Sequence, residues 1–182
     1  MSVDGGGSPS AGPATFASLD PLVRPRSVAV VGASDDPTRI GGRPIAYMKA
    51  QGFQGSVWPV NPRRDRVQGL PAFASVSALP EAPDAAIVAV PVEAALEALD
   101  ELGRKGCKGV IAFTAGFAEV DEAGAWAQAA LVDRARAHGM RLLGPNCLGL
   151  FNAGLGYFPI FSSSFENGWP LPGRIGIASQ SG

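Results

Sequence analysis

Cysteine is nearly absent from this chain, with Cys107 and Cys147 the two in 182 residues. A disulfide-stapled secreted fold needs more, and a domain of this length can bury a core without staples. Histidine is scarcer still, with His138 alone, and no cluster of side chains has metal-ligand spacing. Charged residues make up only 17% of the chain and the formal net charge is -1. No large field therefore draws a nucleic-acid backbone, and duplex binding gets no support. The longest apolar stretch, near 85–96, is broken by Pro91 and Glu93, far short of a membrane span. The opening MSVDGGGSPSAGPATF has neither the basic start nor the apolar centre of a signal peptide. A soluble, cytoplasmic protein is expected, with no nucleic acid and no membrane among its partners. The glycine fingerprint G-x-G-x-x-G of dinucleotide binders is missing as well.

What is present is a repeating alternation of short apolar runs and helical segments. Hydrophobic residues reach 46%, enough to bury a core. Residues 1–16, rich in Gly, Ser, Pro and Ala, read as a flexible arm. Ser27–Val31 reads as a strand covered on both faces, because it is apolar without alternation. A polar loop to Gly42 follows, then a helix opened by Pro44 with Ile45 and Met48 facing inward. Further strands are expected at Ser56–Val60, Ala85–Val90, Gly109–Phe113 and Arg141–Leu143. Helices are expected after Pro91, with Val92, Leu96 and Leu99 on one face, and over 122–138, with Ala127, Ala130, Leu131 and Ala135 together. Strands alternating with helices form βαβ units, so the fold class is α/β, a Rossmann-like parallel sheet with helices on both faces. Residues 17–150 are assigned to this domain, and 151–173 to an extended linker. Arg174–Ala178 reads as the first strand of a second, truncated domain over 174–182.

In an open parallel sheet, ligands sit outside the carboxyl ends of the strands. The first such loop holds Gly32, Ala33 and Ser34 with Ile40 and Gly41, and its glycines let a ligand approach the backbone. An ordinary βα turn explains the same residues. Asp35 and Asp36 would repel phosphate and are placed toward solvent. The second strand ends in Asn61, Pro62, Arg63 and Arg64, where an NAD enzyme carries an acid for the ribose hydroxyls. Arginine suits a ribose phosphate, as found in coenzyme A and in NADP, although a solvated basic turn reads the same way. Val90 and Pro91, then Phe113, Thr114 and Gly116, then Asn146 and Cys147 occupy the remaining ends. Cys147 is either a residue near a ligand's reactive end or a small buried thiol. Cys107 reads as a strand-entry residue, and His138 as a packing or dipole-stabilised histidine in a last helical turn. No acid–base pair suggests itself as catalytic.

In order, RPRSVAVVGAS, RIGG, WPVNP, VAVPVEAALEAL, FTAGFAE, RLLGPNCLGLFN and GRIGIASQSG resemble the CoA-binding domain of the NDP-forming acyl-CoA synthetases. This is the ADP-forming acetate–CoA ligase family, related to the succinyl-CoA synthetase α subunit, and the resemblance spans roughly residues 20–182. It implies coenzyme A laid across the strand ends, with Gly32, Ala33, Ser34, Ile40 and Gly41 at the pyrophosphate. Asn61, Pro62 and Arg63 would flank the 3′-phosphate, and Val90 and Pro91 the adenine. Phe113, Thr114, Gly116, Asn146 and Cys147 would line the pantetheine path. The first loop lacks the lysine of the succinyl-CoA synthetase version, which shifts phosphate binding toward amides and arginines. The family joins a carboxylic acid to CoA using ATP or GTP with Mg, through a phosphohistidine on the next domain and an ATP-grasp module in the same or another chain. The phosphohistidine would lie beyond Ser179–Gly182, so this chain is expected to bind CoA without being a complete enzyme. A stand-alone CoA- or nucleotide-binding regulatory module and an NADP-dependent oxidoreductase are the alternative readings.

Overall fold

The computed structural model describes residues 18–179; the expected arm over 1–16 lies outside them. A one-turn helix, α1 (Asp20–Val23), leads into β1 (Ser27–Val31), every residue of which is buried. Helix α2 (Arg43–Ala50) follows, with proline in its first turn, where a missing amide costs nothing. After β2 (Ser56–Val60) comes a small antiparallel hairpin, β3 (Arg66–Val67) and β4 (Leu70–Pro71). Its two turn residues, Gln68 and Gly69, have φ of 49° and 83°, as a type I′ turn requires. This hairpin had no signal strong enough to be expected, because glutamine is not a usual residue at that position.

The chain then runs through β5 (Ala85–Val88), α3 (Val92–Lys105), β6 (Gly109–Ala112), α4 (Glu122–Ala137) and β7 (Arg141–Leu143). The strands and helices fall where the apolar runs and helical periods place them. Helix α3 has Glu93 in its first turn, Arg104 and Lys105 in its last, and Gly106 in the left-handed conformation behind them; each choice opposes the helix dipole or closes the terminus. Helix α4 is capped by Asp121, which accepts from the Gly124 amide at 2.8 Å.

The five main strands are all parallel, in the order β2-β1-β5-β6-β7. Alternate side chains of each strand serve two separate cores. On one face Ala29, Val31, Val88 and Val110 meet Leu99 and Leu102 of α3 and Leu131 of α4. On the other, Val28, Val30, Ile87 and Ile111 meet Ile45 and Met48 of α2. A helix of eight residues cannot cover that second face alone.

Residues 148–161 complete the cover, and here the structure departs from the extended linker expected over 151–173. The chain doubles back, with the Asn152 amide donating to the Tyr157 carbonyl at 2.7 Å and the Leu150 amide to Pro159 at 3.2 Å. Tyr157 and Phe158 are fully buried. The Tyr47 hydroxyl donates to the Ser162 carbonyl at 2.9 Å and Arg43 to the Phe161 carbonyl at 2.8 Å, fastening the segment to α2. Aromatic residues without a repeating period look like a loop in sequence, yet Tyr157 and Phe158 bury large apolar side chains here. The strand expected at 174–178 is not formed among the described residues, and Ile175 and Ile177 are exposed. Among the described residues no helix is long and apolar enough to cross a membrane.

Two outcomes follow for stability. The Tyr157 hydroxyl is buried without a hydrogen-bond partner among the described residues, and its burial pushes the phenol well above its ordinary range. Tyr157→Phe should leave the thermal midpoint unchanged or raise stability by about 1 kcal/mol, since it removes an unsatisfied polar group. A lower midpoint would mean that the hydroxyl has a partner. Asp84 joins the starts of β1 and β5, accepting from the Arg26 amide at 2.8 Å and its guanidinium at 3.2 Å. Partial burial pushes this carboxyl up, but the Arg26 contacts outweigh it and hold it below the usual aspartate range. A depressed folded-state value gives stability that is present above about pH 4 and lost as the pH falls through the folded value. Asp84→Asn should therefore flatten the acid limb of a stability–pH curve measured by chemical unfolding.

Candidate functional site

The chain leaves β1 toward β2 on one side of it, and β5 lies on the other side. The winding thus reverses between β1 and β5, and a crevice opens outside their carboxyl ends. Gly32 stands at this point with φ of 83°. A Cβ there would run into the Ala89 carbonyl and lie 2.7 Å from Val90 Cγ1, so no other residue fits. Gly41 is required for a similar reason, because a Cβ on it would strike the Gly32 carbonyl. The two ends of the first loop are in backbone contact.

Hydrogen bonds hold that loop in shape. The Gly32 and Ala33 amides donate to the Val60 carbonyl at 3.2 and 3.3 Å, and the Ser34 amide to Gly41 at 3.3 Å. Asn61 Nδ2 donates to the Ala33 carbonyl at 2.8 Å while its Oδ1 accepts from the Arg63 amide at 2.8 Å. Gln68 reaches across from the hairpin turn, donating through Nε2 to the carbonyls of Ser34 (3.0 Å) and Gly42 (2.8 Å). Its amide donates to Asp35 Oδ1 at 2.6 Å. Asp35 and Asp36 face solvent as expected, with Arg64 3.7 Å from Asp35 and Arg39 3.7 Å from Asp36. Hydrogen bonds from Thr38 hold the Asp36 carboxyl below its ordinary range. Arg63 is exposed and forms none of the ion pairs seen among the described residues.

A cleft of about 280 Å³ lies above these strand ends. It brings together Gly32, Ala33, Asn61, Pro62 and Val90 of the residues named from sequence. Ser34, Ile40, Gly41, Arg63 and Pro91 do not line it; Ile40 is half exposed and Pro91 sits at the N-cap of α3. The remaining wall was not foreseen. It comes from Ala74, Ser75 and Val76, held in place where the Lys105 ammonium donates to the Ser77 and Leu79 carbonyls at 3.0 and 2.6 Å. The other side is one face of α3, with Ala94, Glu97, Ala98 and Glu101. The spacing 94, 97, 101 on a helix leaving β5 was the available signal for this wall. For segment 74–76 none existed.

The other named residues form a second group along the same edge of the sheet. Thr114 Oγ1 donates to the Val90 carbonyl at 2.7 Å, joining the ends of β5 and β6. The Asn146 amide donates to the Thr114 carbonyl at 2.9 Å, which brings in the end of β7. Gly116 donates its amide to Glu119 Oε1 at 2.7 Å, which lowers that carboxyl's affinity for protons. Phe113 is buried, its ring 4.9 Å from that of Phe161. Cys147 Sγ lies 3.5 Å from the Ala112 carbonyl, and burial pushes its thiol up, away from the thiolate form. Cys107 is fully buried with its thiol pushed up to about 12. His138 closes α4 with Nε2 3.4 Å from Asp100 Oδ1, in the packing role expected. Among the described residues no three His, Cys, Asp or Glu side chains converge for a metal ion.

The volume of the cleft is on the scale of a nucleoside. A longer ligand would place one end in it and extend along the β5, β6 and β7 ends. Residues 26–153 match the family model described as the CoA binding domain. Over 162 residues the chain is 40% identical to the ADP-forming 4-hydroxybutyrate–CoA ligase of Nitrosopumilus maritimus, covering 89% of this chain and 23% of that protein. It is likewise 40% identical over 165 residues to the α subunit of ADP-forming acetate–CoA ligase II of Pyrococcus furiosus, covering 90% and 35%. The structure of the dinucleotide-forming acetyl-coenzyme A synthetase 1 of Ca. Korarchaeum cryptofilum superposes with a TM-score of 0.75 at 38% identity, over 79% of this chain and 31% of that one. The chain therefore spans about a quarter to a third of the length of these curated relatives.

Gly32→Ala tests the crowding at the switch point. A Cβ at positive φ against a carbonyl should cost about 1–3 kcal/mol of stability, read as a lower thermal midpoint. An unchanged midpoint would show that the β1 and β5 ends are not so close.

Proposed function

The chain belongs to the CoA binding domain family, coenzyme A is its ligand, and on that premise we propose how the cofactor is seated. Adenosine occupies the cleft at the switch point, against Val90 and the start of α3 at Pro91. The pyrophosphate passes over the first loop, along Gly32, Ala33, Ser34, Ile40 and Gly41, where the two glycines keep side chains from the closest backbone approach. The amides of Gly32, Ala33 and Ser34 are engaged within the protein, so arginines supply much of the charge for the phosphates. Arg63, exposed beside Asn61 and Pro62 at the cleft mouth, meets the 3′-phosphate. The pantetheine arm then follows the strand ends past Thr114 and Gly116 toward Asn146 and Cys147, with Phe113 as packing beneath.

The carrying observation is that the family match covers the same strand ends that converge on the cleft. The basic turn at Arg63 and Arg64 alone would suit an NADP phosphate equally well. The family match selects CoA.

The larger reading is that this domain serves an NDP-forming acid–CoA ligase, which makes acyl-CoA from a carboxylic acid, CoA and ATP or GTP. The chain spans only 23–35% of the ligase relatives named above, so acid activation and nucleotide chemistry belong to further modules, an ATP-grasp module among them. No residue of this chain is assigned a catalytic role.

Titration calorimetry with CoA, dephospho-CoA and NADPH tests the seating. CoA should bind about tenfold more tightly than dephospho-CoA, the low end for a charge-assisted contact because Arg63 is exposed. Arg63→Ala should shrink that gap, and Cys147→Ser should change CoA affinity less than about twofold. Tighter binding of NADPH than CoA would overturn the proposal.

A further inference from the structure

Glu97 and Glu101 stand one turn apart on α3, and both line the cleft. Among the described residues neither carboxylate takes part in an ion pair or a side-chain hydrogen bond. The other polar side chains of the cleft are occupied. Asn61 uses both ends of its amide within the protein, and the Ser75 hydroxyl lies 2.8 Å from that of Ser77. The surfaces between are small and apolar.

A ligand entering this space therefore meets acceptors. An ionised carboxylate accepts hydrogen bonds and cannot donate them, and it repels a phosphate by like charge. Within coenzyme A the adenosine end offers two kinds of donor, the exocyclic amine of adenine and the free ribose hydroxyl. The hydroxyl adjoins the 3′-phosphate, so turning it toward two carboxylates would bring like charges together. The amine lies at the far end of the base from every phosphate. We infer that Glu97 and Glu101 accept from the adenine amine, which makes them specificity-determining residues for the base. They also fix the ligand's polarity, with its phosphates turned from α3 toward Arg63. This deepens the seating proposed above and rests on it.

The test uses the full chain, with CoA and an analogue in which hydrogen replaces the 6-amino group of the purine. Calorimetry should show the analogue binding about tenfold more weakly than CoA, the loss of a partly exposed charge-assisted hydrogen bond. In the double variant Glu97→Ala/Glu101→Ala that ratio should fall below about twofold, while the preference for CoA over dephospho-CoA persists. Comparing ratios removes any general change in affinity from the altered net charge, and alanine keeps an exposed helix stable. Equal binding of CoA and the analogue by the unaltered chain, with the 3′-phosphate preference intact, overturns this inference alone. So does a ratio that survives in the double variant. Loss of the 3′-phosphate preference from the unaltered chain as well would remove the seating itself.

Discussion

The backbone leaving β1 passes the backbone leaving β5 so closely that a single methyl group would not fit between them. Everything at the site depends on this approach. Because Gly32 has no side chain, the loop can fold back until Gly41 touches it, and Asn61 and Gln68 can clamp the loop from the β2 side. The result is a floor of closely packed, hydrogen-bonded backbone at the point where the sheet reverses its winding. Such a floor admits a ligand's backbone-like chain and leaves recognition to groups at its rim.

The rim is electrostatically divided. Arginines cluster on the loops following β1 and β2, with carboxylates placed among them at Asp35 and Asp36 and turned outward. Across the cleft, α3 presents Glu97 and Glu101. A uniformly basic cleft would take any nucleotide in either direction. A divided one favours a ligand with negative charge at one end and hydrogen-bond donors at the other, and fixes which way round it lies.

Behind the site, the sheet is covered unequally. Helices α3 and α4 close one face; α2 is too short to close the other, and residues 148–161 finish it. That segment is fastened to α2 through Arg43 and Tyr47, and α2 begins directly where the first loop ends. Phe113 and Phe161 meet edge to face at 4.9 Å, linking the same segment to the end of β6. The ends of β5, β6 and β7 are in turn joined by Thr114. The strand ends along which a long cofactor would extend are thus one connected edge.

Strands β1, β5 and β6 were legible because burial on both faces leaves an apolar run that little else explains, and α3 and α4 because their inward residues recur with the helical period. That the glycine loop, the Asn61–Arg63 turn and the small residues further on lie at strand ends was also legible, since the alternation of strands and helices dictates a parallel sheet. What tertiary structure alone decided is which of these residues share a cavity and what completes its walls. Ser75 and Val76 sit in an irregular segment whose position is set by Lys105, nearly thirty residues away, and Gln68 acts from a hairpin turn with no distinctive composition. Tyr157 and Phe158 looked like linker because their burial follows no period. Periodicity reports a local, repeating relation between chain and core, whereas these placements come from single contacts between distant parts of the chain.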